Sequence, residues 1–390
     1  MAGAPPQAKP RKNNLNYPYL MHVPLLDLQA QYASLRDEVR FAVERVLDSQ
    51  RFVLGDEVRK LESSIASYTH SKHAIGCASG SDAVLLALMA LDIGAGDEVI
   101  TTPFTFFATG AAITRLGARP VFVDIDPSSY NLDTSQVADA ITDRTKALLP
   151  VHLYGQCTEM DFLLELSKHH GIPIVEDAAQ AIGATDRGDQ AGSMGAIGCF
   201  SFYPSKNLGG AGDGGILTTN DDDLAARLRR LRTHGGVTEY EHSEVGINSR
   251  LDELQAAVLN VKLPHLDNWS NERARKAAVY DEELLDSTSF ELIPPSSREE
   301  ARHIYHQYVI RTPQHRDALM EHLKQHGVGT KVYYPIPLHR QECFAYLGYN
   351  EGVFPESERA ARETFALPVY PELTETQQAY VIETVKRFKA

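Results

Sequence analysis

Four short runs of the 390-residue chain hold residue types that could do chemistry together. The first is Phe200-Ser201-Phe202-Tyr203-Pro204-Ser205-Lys206-Asn207, followed by LGGAGDGG. A lysine set among aromatic, small and glycine residues is poorly placed as a solvated charge. Desolvation would lower its pKa and make its amine a nucleophile for an aldehyde. A loop lysine without chemistry fits the segment equally well when it is read alone. The second run is Glu176-Asp177-Ala178-Ala179-Gln180, directly after the apolar stretch IPIV. A carboxylate at such a strand end can hold a ring nitrogen protonated through a charge-assisted hydrogen bond, and it can equally cap a helix. The third, Ala78-Ser79-Gly80-Ser81-Asp82, lies between a strand pattern and a helix pattern. Glycine there lets a ligand approach the backbone, and the free N–H groups of a helix start attract anions, although serine and aspartate are good caps in any case. The fourth, Thr102-Pro103-Phe104-Thr105-Phe106-Phe107, offers aromatic faces either to a core or to a flat ring.

The elements that must position these runs are legible from periodicity. HAIGC, DEVITT, PVFVDI, KALLPVHL and IPIVED read as strands, separated by the helical patterns DAVLLALMAL, FATGAAITRL and MDFLLELSKHH. CFSFY and GGILTT follow as two further strands with a loop between them. This rhythm predicts an α/β fold with a mostly parallel sheet covered by helices, whose ligands sit beyond the carboxyl ends of the strands. The chemistry-bearing residues fall at those ends. The segment LDELQAAVLNVKLPHLDNWSNERARKAAVYDEELL predicts one or two long helices, after which a smaller α/β unit ends in ETQQAYVIETVKRF. The expected organisation is a disordered tail over 1–20, a large unit over 21–268 and a small unit over 269–390.

Composition excludes some classes of function. There are 38 Lys and Arg against 52 Asp and Glu, a net charge of −14, which argues against a nucleic-acid or anionic-membrane partner. No stretch is apolar for the roughly 18 residues of a membrane span, and the N-terminus has no apolar core of a secretion signal. The four cysteines show no pairing or metal-ligand spacing and are expected to be buried free thiols of a cytoplasmic protein with no metal site.

Taken together and in order, these runs resemble the sugar aminotransferase family named after DegT, DnrJ and StrS. The motifs DEVITTPFTFFAT, VFVDIDPSSYN, PVHLYGQCTEMD, IVEDAAQAIGA, CFSFYPSKNLG and INSRLDELQAA carry the resemblance, which runs from about Val23 through the C-terminal unit. It implies the type I aminotransferase fold and the cofactor pyridoxal 5′-phosphate (PLP). It implies Lys206 as the lysine that bonds the cofactor aldehyde and Asp177 as the partner of its pyridine nitrogen. Phe106 and Gln180 match the positions flanking the ring, while Gly80, Ser81 and Ser201 match those holding the phosphate. Asn248 matches an asparagine that reaches the cofactor phosphate of the neighbouring subunit in a homodimer with composite sites; alone, it reads as a helix cap. Tyr333 and Tyr334 fall where relatives contact substrate from the partner subunit, and Tyr333 departs from the histidine common there. The implied reaction moves an amino group from L-glutamate to a keto group of a nucleotide-linked hexose, most similar to members acting on 3-keto UDP- or dTDP-sugars. A C-4 aminotransferase and a non-catalytic regulatory protein on the same fold are the alternatives.

Overall fold

The structure is a computed structural model that describes residues 21–285 and 288–389. The expected tail over 1–20 lies outside the described residues. Strands His73–Cys77, Gly215–Thr219, Ile197–Ser201 and Val175–Asp177 lie side by side in that order. Parallel bridges from Leu148 to Ile174 and from Val151 to Asp177 join them to a second group of three parallel strands. This group runs Thr145–Leu148, Glu98–Thr101, Arg119–Phe122. Only Gly215–Thr219 runs against the rest, pairing antiparallel with both its neighbours. The sheet is therefore mixed and mostly parallel, as the strand and helix rhythm predicts.

Both faces are covered. Helix Gly80–Ala90 is apolar almost all round and packs with the strands into one core that includes Ile75, Leu86, Val99, Val175 and Leu217. Helices Asp56–Tyr68 and Glu253–Lys262 contribute Leu61, Ile65, Ala256 and Leu259 to another, with Phe200 and Phe202. A further core, with Tyr280, Tyr308, Phe365 and Val385, belongs to the C-terminal part and also takes in Val23 from the start of the described chain. The segment expected as one or two long helices forms two. Pro264 lies in a short 3-10 turn, Leu263–His265, between Glu253–Lys262 and Leu266–Leu284. Leu266 belongs to the core under the sheet, whereas Ala277, Tyr280 and Leu284 of the same helix belong to the C-terminal core. Cys77, Cys157 and Cys199 are buried free thiols, but Cys343 is exposed, which corrects the expectation that all four are buried. Cys343 lies in the short helical turn Glu342–Leu347, whose apolar anchors are Phe344 and Leu347. Among the described residues, no helix is long and apolar enough to cross a membrane.

The end of strand Val175–Asp177 shows how the fold builds its functional edge. Successive side chains on a strand point to opposite faces, so the adjacent acids Glu176 and Asp177 have separate tasks. Glu176 is fully buried and accepts hydrogen bonds from the N–H groups of Gly192 (2.7 Å), Met194 (2.8 Å) and Gly195 (2.6 Å). His152 supplies a fourth at 2.9 Å: its Nδ1 accepts from Thr158 N, so Nε2 carries the proton it donates to Glu176. One carboxylate thus closes the loop before strand Ile197–Ser201 and fixes that strand against Asp177. Glu176→Gln presents an NH2 group to donors that need an acceptor, and should lower unfolding stability by about 3 kcal/mol or more. A urea midpoint unchanged from wild type would contradict this role.

Candidate active site

Asp177 turns the other way and is buried at the carboxyl end of the central strand. Its Oδ2 accepts the Thr109 hydroxyl at 2.7 Å, and its Oδ1 accepts a longer bond from Ala179 N at 3.3 Å. Burial pushes its carboxyl above the ordinary value, opposed by Thr109, Ala179, Lys206 and His152. The surroundings therefore hold the anion incompletely, and a cationic N–H group placed on it would complete the set.

Lys206 reaches the same end from the next strand. The register pairs Asp177 with Cys199. The chain then leaves Ser201 into a turn closed by Lys206 N donating to Tyr203 O (2.8 Å) and Gly210 N to Phe202 O (2.8 Å). A Cβ on Gly209 would stand 2.3 Å from the Pro204 carbonyl oxygen, so only glycine allows the turn to fold that tightly. Lys206 as a residue is half-buried, and desolvation of its amine lowers the ammonium to about 8, against the opposing pull of Asp177.

Gly80, Ser81 and Ser201 form one corner. Ser79 caps helix Gly80–Ala90 by accepting Asp82 N at 3.1 Å, and the Gly80 and Ser81 N–H groups make no hydrogen bond among the described residues. A Cβ on Gly80 would stand 2.5 Å from Ser201 Cβ, and one on Gly215 would stand 2.4 Å from the Ser79 carbonyl oxygen. The glycines thus let the helix start and the Ser201 strand end close into a cradle where free amides and the helix dipole favour an anion. The cap reading of this run holds, and the cap leaves those two amides unused.

The aromatic run divides. Phe104 is wholly buried, whereas Phe106 is 56% exposed just before helix Phe107–Arg115, its ring centroid 6.1 Å from that of Tyr334. Gln180 is fixed at both ends of its amide: Oε1 accepts Tyr154 N (2.8 Å) and Nε2 donates to the Tyr334 hydroxyl (2.9 Å). Tyr334 therefore stands beside Gln180 of its own chain. Tyr333 faces elsewhere: its carbonyl accepts the Tyr154 hydroxyl, and its ring lines a small cavity with Ser205, His306 and Gln307. Asn248 is exposed and does not cap the following helix, which begins at Asp252 and Glu253. Its neighbour Ser249 is buried, donates to Asp82 Oδ2 (2.7 Å) and accepts Ala78 N (3.1 Å), so Asn248 is held close to the loop that starts helix Gly80–Ala90.

These contacts bring Lys206, Asp177, Gln180, Phe106 and Tyr334 to one sheet end, with the Gly80–Ser201 cradle alongside. A family profile described as the DegT/DnrJ/EryC1/StrS aminotransferase family matches residues 33–386. The chain belongs to that family. It is 51% identical to a pleiotropic regulatory protein of Geobacillus stearothermophilus, over 94% of this chain and 99% of that protein. It is 44% identical to a UDP-N-acetyl-3-dehydro-α-D-glucosamine 3-aminotransferase of Acidithiobacillus ferrooxidans, over 94% of this chain and 97% of that one. Among solved structures, that of DesV from S. venezuelae in complex with a ketimine intermediate superimposes with a TM-score of 0.91 at 45% identity, covering 94% of this chain and 98% of that one. The type I fold expected from the family resemblance holds.

Several residues of this aminotransferase site gave no local signal. Thr109 lies 68 positions from the carboxylate it holds, and Tyr154 lies 179 from the carbonyl it binds. Only the register of the sheet brings such partners together. The coupling of Lys206 and Asp177 is testable without substrate. In cofactor-stripped protein, the rate of Lys206 modification by an amine reagent should rise with pH, half-maximal at about 8, because only the neutral amine reacts. Asp177→Asn removes the charge that favours the ammonium, and should move that midpoint lower. Peptide mapping of the modified lysine across pH measures both, and a midpoint near that of the exposed lysines would contradict the geometry.

Proposed function

We propose that this chain is a PLP-dependent aminotransferase that places an amino group on a 3-keto hexose linked to UDP or dTDP, with L-glutamate as donor. The observation that carries the reading is the pairing of a half-buried, readily deprotonated Lys206 with the buried Asp177 at the edge of an anion cradle. Those residues fit the cofactor. Asp177 would take the pyridine N–H that its present bonds leave room for, Gly80, Ser81 and Ser201 would hold the phosphate, and Phe106 and Gln180 would flank the ring. The cofactor, when bound, supplies the aldehyde that carries the amino group and the conjugated ring that absorbs charge.

The chain's own part is narrower. Lys206 must be neutral to act as a nucleophile and then as a base, and desolvation, which lowers its ammonium to about 8, makes the neutral amine far more accessible than that of an exposed lysine. Its Nζ then takes up and returns the proton that is moved in transamination. Asp177 keeps the ring nitrogen charged, with Thr109 holding the carboxylate in place. Gln180 and Tyr334, locked to one another, form a wall on which substrate can be oriented, whereas Tyr333, the other residue at the family's substrate position, lines the cavity beside Ser205 and His306. The sugar preference rests on the likeness to the 3-aminotransferase of A. ferrooxidans and, at 45% identity, to a dTDP-3-amino-3,4,6-trideoxy-α-D-glucose transaminase of Streptomyces venezuelae. Assembly as a homodimer, with Asn248 reaching the partner's phosphate cradle, is part of the reading, as is a cytoplasmic location. So is the division near residue 268 into a large cofactor-binding unit and a smaller one, with helix Leu266–Leu284 shared between their cores.

The likeness to a pleiotropic regulatory protein favours a second reading, a regulatory role on the same fold. Turnover separates the two. Incubated with L-glutamate and matched 3-keto and 4-keto nucleotide hexoses, the protein should yield an amine on carbon 3, and Lys206→Ala should yield none. Product from neither sugar would favour the regulatory reading, and a 4-amino product alone would move the reaction to C-4. Lys206→Ala and Asn248→Ala subunits, each impaired alone, should regain activity on mixing, because exchange creates one intact site per heterodimer. Demonstrated exchange without recovery would remove Asn248 from the partner's site.

A further inference from the structure

The turn that carries Lys206 is fastened from outside the sheet. Asn207 is buried, and its side-chain amide makes two hydrogen bonds to one neighbouring segment: Nδ2 donates to the Ile304 carbonyl (3.2 Å), and Oδ1 faces His306 Nδ1 (3.1 Å). The first bond fixes which end of the amide is oxygen, since only NH2 can donate to a carbonyl. Oδ1 must therefore accept, so His306 Nδ1 carries a proton. Nε2 has no hydrogen-bond partner among the described residues. His306 lines a cavity of about 80 Å³ with Ser205, Arg273, Gln307 and Tyr333.

The backbone around the imidazole is held in turn. Arg273, buried on helix Leu266–Leu284, sends Nη1 to the carbonyls of Tyr305 (3.2 Å), His306 (3.3 Å) and Val369 (2.8 Å). A continuous path thus runs from helix Leu266–Leu284 through the His306 segment to Asn207, the residue beside Lys206.

We propose that His306 is a positioning residue for Lys206, acting through Asn207 as a neutral imidazole protonated on Nδ1. This inference rests on the reading of Lys206 as the reacting amine. That amine must leave and return to one place in every cycle. Fastening its backbone restricts the motion to the four-carbon side chain, which keeps the returning nitrogen aligned. Neutrality is compatible with the surroundings. The imidazole is buried, and the charged groups that act on it, Lys206 and Arg273, are both cations that disfavour its protonation.

Isosteres separate this role from simple core packing. In His306→Asn the side-chain amide can overlay Nδ1 and keep a donor on Asn207, whereas in His306→Gln it overlays Nε2 and loses that donor. We expect His306→Asn to retain turnover within about threefold, and His306→Gln and Asn207→Ala to lose roughly tenfold or more in kcat, with donor KM changed far less. Urea midpoints of the two His306 variants should be alike. In the holoenzyme, 15N NMR of the imidazole should show one neutral, Nδ1-protonated form from about pH 6 to 9. Equal kcat for the Asn and Gln variants, a better Gln than Asn variant, or a protonated imidazole in that range would each overturn the proposal. The underlying reading fails separately, if Lys206→Ala itself still turns over.

Discussion

A carboxylate buried at the end of a parallel strand is the constraint on which the rest of this site depends. Asp177 cannot remain an anion in an apolar layer without hydrogen bonds and nearby positive charge. The fold brings both to it: Thr109 from the first turn of helix Phe107–Arg115, Ala179 from its own strand end, and Lys206 from the turn after the adjoining strand. The same proximity acts in reverse on Lys206. Burial lowers its ammonium, and the carboxylate limits how far it falls, leaving an amine that exchanges its proton at about pH 8. The charge of each group therefore depends on the other.

The sheet edge achieves this by giving neighbouring residues opposite duties. Glu176 is consumed entirely by structure, with three backbone donors and His152, and it stiffens the strand whose next residue is Asp177. Ser249 similarly ties the segment beside Asn248 to Asp82, and Asn207 ties the residue after Lys206 to His306. In each pair one residue is held by hydrogen bonds and thereby fixes the place of its neighbour. The overall charge of −14 has little bearing on this, because the anion cradle is made of backbone amides at a helix start rather than of basic side chains.

Much of this was legible in the sequence. Alternation of strand and helix patterns gave the sheet and its loaded end. The setting of Lys206 among small and aromatic residues matched its partly desolvated turn, and the family motifs ordered the pieces. Four features were not legible. The split of the aromatic run, Phe104 inward and Phe106 outward, depends on the backbone leaving the strand just there. The separate directions of Tyr333 and Tyr334 cannot be inferred from two adjacent identical residues. Thr109, Tyr154 and His306 act over separations that only tertiary pairing closes. Asn248 read alone suggested a helix cap, whereas the helix begins five residues later at Glu253, because Ser249 draws the chain to Asp82 first.

The central claim is that Lys206 is the amine to which the cofactor aldehyde is bonded. Borohydride reduction of the purified holoenzyme, followed by peptide mass mapping, tests it most directly, because reduction makes such a bond permanent. The account predicts the cofactor's mass on the peptide carrying Lys206 and on no other lysine. Its appearance on a different lysine, or on none while the cofactor is bound, would contradict it.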